Sequence, residues 1–252
     1  YFNGDKVPRD VDKAIHYFSL AAKQNYSAAQ YNLGIIYFKG DKVPRDVDKG
    51  IHYFSLAASH NQPMAQFNLG YIYYCGLFVL RNIDKAIYYL SLAAKQYQSD
   101  AQFYLGSIYY EGLYVTHDIE KAIQYFKEAS CFNHPRAKNN LGIIYKTGKG
   151  VPMNPHASIE YFEEAIRQKG DEVAMFNLAH LHFYEEINKT DLAKAIELLV
   201  KSAIKKNKLS VDLLILAVMK KYEKLNNSIL EQEFEEIDKE KGHLIANLII
   251  KE

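Results

Sequence analysis

Apolar positions along the chain fall at intervals of three and four residues, and polar breaks interrupt them on a longer, regular beat. Residues 29–58, AQYNLGIIYFKGDKVPRDVDKGIHYFSLAA, show both. Ala29, Leu33, Ile36 and Tyr37 form one stripe, which predicts an amphipathic helix (helix A) over about residues 28–39. Ile51, Phe54 and Ala58, with Ala57 beside them, form a second stripe and predict helix B over about 47–59. Between the two lie Gly40, Val43-Pro44 and Asp46. A glycine just past an apolar run supplies the left-handed residue that closes a helix. Asp or Asn ahead of the next run accepts hydrogen bonds from the free N–H groups of a helix start.

The same design recurs. Leu-Gly stands at 33–34, 69–70, 105–106 and 141–142, a constant step of 36 residues, and Leu178-Ala179 follows after 37. Closing glycines recur at Gly4, Gly76, Gly112 and Gly148, and capping residues at Asp10, Asn82, Asp118, Asn154 and Asp191. A period of this size marks stacked supersecondary units. The segments are a partial repeat at 1–27 (helix B only), repeats at 28–63, 64–99, 100–135, 136–172 and 173–209, and a degenerate repeat with a capping helix at 210–252. The fold class is therefore all-α, a solenoid of antiparallel helix pairs with about 13 helices. In the last segment, 211–225 resembles helix A, Asn226-Asn227-Ser228 breaks it, and 229–251 predicts one longer helix.

The glycines inside helix A need a reason, because glycine there costs about 1 kcal/mol against alanine. Close approach of helix B supplies one. The expected partners are small residues, Gly50, Ala14, Ala86 and Ala122 with Ala21, Ala57, Ala93 and Ala129.

The string A-x-x-x-L-G-x-x-Y-x-x-G, then V-P, then D-x-x-K-A, carried by Leu33-Gly34, Tyr37, Gly40, Val43, Asp46, Lys49 and Gly50 and their copies, resembles the Sel1-like repeat family. These repeats are relatives of the tetratricopeptide repeat. The resemblance covers about residues 1–209 and implies a right-handed superhelical array that serves as an adaptor or scaffold between proteins. It departs from the pattern at His182, which replaces the tyrosine, and at Ala157, which replaces the lysine. The secreted cysteine-rich subgroup carries a disulfide in each repeat; with only Cys75 and Cys131, in non-equivalent positions, this chain falls outside it. The two thiols fit small buried apolar side chains, and a cytoplasmic location is the simpler expectation.

Helix A has a second apolar stripe. It comprises Tyr31, Ile35 and Phe38; Phe67, Tyr71 and Tyr74; Phe103, Ser107 and Tyr110; Asn139, Ile143 and Lys146; and Phe176, His180 and Phe183. By resemblance to tetratricopeptide arrays, A helices line the concave side, so these residues form a candidate groove for a protein or peptide segment. The same stripe equally suits packing between repeats. Asn139 and Lys146 interrupt the aromatic run and suit a polar or acidic group. A column of Asn32, Asn68, Asn140 and Asn177 beside the stripe suits either a peptide backbone or a structural role.

Composition narrows the rest. Lys+Arg 31 against Asp+Glu 30 leaves a net charge of +1, which gives no general attraction to nucleic acid or anionic membranes. No apolar run spans a bilayer. The chain holds no C-x-x-C, phosphate loop or H-E-x-x-H, and no nucleophile with a base beside it, so neither enzymatic activity nor a cofactor or metal is expected. His180 and His182 lie two apart on one helix and face apart. Glu163-Glu164 suits solvated surface. The opening YFNGDKVPRD repeats residues 37–46, so the chain starts inside a helix whose beginning precedes it, and attached upstream domains are expected. The leading reading is a protein–protein interaction scaffold. The alternative is a rigid structural or regulatory spacer within a larger multidomain protein.

Overall fold

In a computed structural model of the chain, residues 10–40, 43–169, 171–184, 191–205, 210–214 and 217 are described. Among them every regular element is helical. The helices are α1 (Val11–Lys23), α2 (Ser27–Lys39), α3 (Val47–Ser59), α4 (Pro63–Cys75), α5 (Ile83–Ala94), α6 (Ser99–Glu111), α7 (Ile119–Cys131), α8 (Pro135–Thr147), α9 (Pro155–Lys169), α10 (Glu172–Tyr184) and α11 (Asp191–Ile204). Residues 210–214 and 217 are helical as well. The expected break at 226–228, the helix over 229–251 and Gly4 lie outside the described residues. The chain divides into two compact units, Tyr1–His134 and Pro135–Glu252.

Within the first unit, α2 pairs with α3, α4 with α5 and α6 with α7, and each pair packs on the next. Within the second, α8 pairs with α9 and α10 with α11. These are the A–B hairpins of the sequence pattern. Their boundaries have local causes. Asp10, Asp46, Asn82 and Asp118 each accept a hydrogen bond from the backbone N–H three residues on, and Asn154 does the same for Ala157 at 3.0 Å. That satisfies one of the orphan donors of each helix start. The side chain of Asp191 lies outside the described residues. At the other end, Gly40, Gly76, Gly112 and Gly148 adopt φ of 70°, 68°, 62° and 67°.

A second left-handed column recurs in the turn from helix B to the next helix A: Asn25, Asn61, Tyr97 and Asn133, with φ from 57° to 64°. Asparagine tolerates this region far better than a bulky residue does. Tyr97 is the position where the local rule is broken.

The core is a file of fully buried side chains. Leu33, Leu69 and Leu105 of the A helices and Phe54, Leu90 and Phe126 of the B helices are all buried; Leu69 shares a cluster with Phe54 of α3, and Leu105 with Leu90 of α5. In the second unit Leu141, Leu178, Phe162 and Leu199 are buried at the equivalent positions of their repeats. This arrangement corrects the expectation about the helix-A glycines. A Cβ built on Gly34 would lie 2.5 Å from Phe54 Cδ1, and those on Gly106 and Gly142 would strike Phe126 and Phe162 at 2.7 and 2.5 Å. At Gly70 the obstacle is Leu90, 2.7 Å away. The missing side chain makes room for a large buried group, not for a small one. The small column on helix B serves a different contact, since a Cβ on Gly50 would lie 2.9 Å from the backbone of Phe38.

Buried amides tie successive hairpins together. Gln30, Gln66 and Gln102, all inside the core, donate from Nε2 to the carbonyls of Ala22, Ala58 and Ala94 near the ends of the preceding B helices, at 3.2, 3.2 and 3.5 Å. Gln30 Oε1 meets His60 Nδ1 at 3.1 Å and Gln66 Oε1 accepts from Gln96 at 2.8 Å. Each of these two glutamines thus clasps the B-helix end behind it and the one ahead. Phe132 occupies the third donor position, and Gln102 Oε1 has no donor among the described residues.

Tyrosine pairs join the two helices of each hairpin. Tyr37–Tyr53, Tyr73–Tyr89, Tyr109–Tyr125 and Tyr145–Tyr161 stack within 9° of parallel. Lys49, Lys85 and Lys121 lie over the helix-A rings at 3.9, 5.1 and 5.1 Å. Two further expectations change. Cys75 is partly exposed and Cys131 exposed, because both end their helices beyond the buried stripe. Glu163 and Glu164 are not simply solvated: they pair with Lys194 at 3.1 Å and Lys138 at 2.7 Å.

Candidate functional site: aromatic face of the A helices

The second stripe stays on one face because its members are three and four residues apart on each A helix. Its burial is uneven. Tyr31, Ile35 and Phe38 of α2 are half-buried against the cluster around Phe54, with the Tyr31 and Phe38 rings 5.9 and 5.8 Å from that of Phe54. Phe103 of α6 is only 4% exposed; its ring stacks on His134 at 4.6 Å. Ser107 is buried and donates to the Phe103 carbonyl. Tyr110 is half-buried, 6.3 Å from Phe126.

In the second unit Asn139 is buried and accepts a hydrogen bond from Asn177 at 2.9 Å. Lys146 Nζ lies 2.8 Å from His180 Nδ1. Burial, and then the Lys146 charge, push the His180 pKa down, so its neutral ring offers Nδ1 as an acceptor. Phe176 packs half-buried beside His180, and Phe183 is buried.

One part of the stripe converges on a residue that sequence reasoning missed. Tyr104 of α6 lies 6.0 Å from Phe67, 5.1 Å from Tyr71 and 5.5 Å from Tyr74, ring centre to ring centre. All four rings are partly exposed. The available signal was its register: Tyr104 follows Asn68 by one full period, an aromatic where the asparagine column continues. That column has structural roles elsewhere. Asn32 donates to the Ala28 carbonyl of its own helix at 2.9 Å, and Asn177 reaches Asn139 of the preceding repeat.

The electrostatics of the patch disfavour anions. A hydrogen bond with Cys75 and the neighbouring phenol of Tyr104 push the Tyr71 pKa up to about 12. Burial, and then the Glu111 carboxylate, raise that of Tyr74, whose hydroxyl donates to Glu111 at 3.5 Å. Burial also raises Tyr31. The phenols therefore stay neutral hydrogen-bonding groups across the physiological range. Among the described residues there is no His/Cys/Asp/Glu cluster able to hold a metal, and no helix long and apolar enough to cross a membrane.

Consecutive helix hairpins with capped loops, a shared buried column and a partly exposed face on the first helix define a helical-repeat protein of the tetratricopeptide kind. More narrowly, the chain belongs to the Sel1 repeat family: residues 1–26, 27–62, 63–97, 99–131, 135–169 and 173–207 each match the Sel1 repeat. Members are generally protein–protein interaction modules, and such scaffolds are generally non-enzymatic. Among solved structures, the chain is similar to a protective antigen of uropathogenic Escherichia coli strains displaying an SLR fold, at 29% identity and a TM-score of 0.78 over 85% of this chain and 46% of that one. It is also similar to a Sel1 repeat protein from Oxalobacter formigenes, at 27% identity and a TM-score of 0.70 over 76% of each chain. The chain thus spans less than half of the first of these. No curated protein matches it.

Proposed function

We propose that the chain is an interaction module that holds a segment of a protein partner against the face of its A helices, anchored on Phe67, Tyr71, Tyr74 and Tyr104. The observation that carries this reading is the convergence of four partly exposed rings, 5.1 to 6.0 Å from the central Tyr104. Clustered aromatics give large contact area at low entropic cost and dominate binding hot spots. Tyr31, Ile35, Phe38 and Tyr110 extend the face within the first unit. Buried Phe103 supports that face from within; in the second unit the exposed parts of Lys146 and Phe176 extend the equivalent stripe, with Asn139 and Phe183 buried beneath it.

A photo-crosslinking side chain in place of Tyr71 traps the partner, and binding to the trapped protein is then measured for Tyr74→Ala and Tyr104→Ala. Loss of an anchor at a hot spot weakens binding by about thirtyfold, the equivalent of about 2 kcal/mol. Unchanged affinity in both variants, with melting temperatures intact, defeats the proposal.

A further inference from the structure

The loops between helices A and B carry a second apolar surface, which adjoins the aromatic face where the Phe78 ring meets that of Phe38 at 5.8 Å. In the loop after α4 the sequence is Leu77-Phe78-Val79-Leu80-Arg81, and in the loop after α6 it is Leu113-Tyr114-Val115. The loop after α8 has Lys149-Gly150 at the corresponding positions. Val79 and Val115 turn inward and pack on the cores of their hairpins. Their neighbours are thereby forced outward: Leu80 is 92% exposed, Leu113 72% and Phe78 58%. Side chains this exposed protrude from the surface. They cannot receive a peptide as a concave site does, but they can enter a soft apolar phase.

The charges beside them are set in position. The Arg45 guanidinium lies over the Phe78 ring at 4.2 Å, and its Nε donates to the Phe38 carbonyl at 2.9 Å. Arg81 donates to the Tyr114 hydroxyl and lies 5.2 Å from that ring. Neither arginine has a carboxylate partner among the described residues. Several of the acids described at this edge are engaged otherwise. Asp118 pairs with Lys121 at 3.0 Å, Asp46 caps α3 beside Lys49, and the middle loop has neutral Asn82 in the capping place. Glu111 accepts from Tyr74. Asp48, Asp84 and Glu120 stand in the first turns of α3, α5 and α7, at the positive ends of those helices.

We infer that this loop edge docks on an anionic lipid surface. Leu80, Leu113 and Phe78 would enter the headgroup–acyl boundary, Tyr114 would sit at the interface, and Arg45 and Arg81 would meet lipid phosphates. The overall charge of +1 does not oppose this, because the attraction is local to the edge and acts within a Debye length. The inference is independent of the aromatic face.

The test mixes the full chain with vesicles of phosphatidylcholine alone, or with about one-quarter phosphatidylserine, and reads the bound fraction by flotation. The chain is expected to float with the anionic vesicles, to float less with the neutral ones, and to be released as salt rises. Leu80→Asp with Leu113→Asp is expected to reduce binding about tenfold or more. Arg45→Gln with Arg81→Gln is expected to remove the preference for anionic lipid, and melting temperatures confirm that all variants are folded. No flotation, or undiminished flotation of the double aspartate variant, overturns the inference. So does loss of the crosslinked protein partner by that variant when the wild type does not float, which assigns the edge to a protein interface.

Discussion

Gly106 in the middle of α6 offers a contest between two effects of opposite sign. Replacing it with alanine removes glycine's helix penalty, a gain of about 1 kcal/mol. The new Cβ, however, would sit 2.7 Å from both Cδ1 and Cε1 of Phe126 and 3.2 Å from its Cγ. Restoring ordinary contact means moving the ring by about 1 Å, in a core packed like a molecular crystal. Phe126 is fully buried, and the rings of Phe103 and Tyr110 stand 6.0 and 6.3 Å away. Overpacking of this kind costs about 1–3 kcal/mol or more. Clash should win, leaving Gly106→Ala destabilised by up to about 2 kcal/mol, or up to roughly 8 °C in melting temperature for a chain of this size. The assay is thermal and urea unfolding followed by circular dichroism, run as a double-mutant cycle with Phe126→Leu. The chain itself uses the smaller combination, with Ala179 and Leu199 at the matching positions and both fully buried. The double variant should therefore be more stable than the sum of its parts predicts. A rise in melting temperature for Gly106→Ala alone, or strict additivity in the cycle, refutes the reasoning.

Three other outcomes follow from single contacts. Tyr97 holds a φ of 61°, so Tyr97→Asn should stabilise the chain by about 1 kcal/mol, visible as a higher melting temperature. Phe132→His or Phe132→Gln restores a donor for Gln102 Oε1 and should add about 1 kcal/mol, whereas Phe132→Leu should not. Asp118→Ala should lower the melting temperature at neutral pH. The amide and ammonium of Lys121 hold the Asp118 carboxyl below its ordinary value. Its contribution is complete above the unfolded value of about 3.9 and is lost as pH falls through the folded one. The gap between wild type and Asp118→Ala should accordingly close in acid and persist at pH 7.

What could be read in the residues was what local chemistry decides. The 36-residue step of Gly34, Gly70, Gly106 and Gly142, the closing glycines and the Asp or Asn caps gave the helices their places. The contacts those helices make with one another depend on how side chains interdigitate, which spacing does not encode. That is why Phe54, Leu90 and Phe126 were not expected opposite the glycines. The buried glutamines left a trace, an Ala-Gln pair at 29–30, 65–66 and 101–102, but only their carbonyl partners in the preceding hairpin explain it. The left-handed turn left asparagine at 25, 61 and 133, and Tyr97 masked the column. The aromatic stripe was visible as spacing; its focus was not, because Tyr104 gathers Phe67, Tyr71 and Tyr74 from a neighbouring repeat.

The glutamine clasps also bear on how such a chain can grow or shrink. Gln30 and Gln66 each reach back to the end of the preceding hairpin and across to the end of their own, so an insertion or deletion of arbitrary length between the partners parts a bond. Duplicating the whole period that carries Gln66 returns its backward bond to an equivalent carbonyl, as at Ala22, Ala58 and Ala94. Recombination between near-identical stretches, such as VPRDVDKAIHYFSLAA at 7–22 and its copy at 43–58, would alter the length of the array without leaving a seam in its interior.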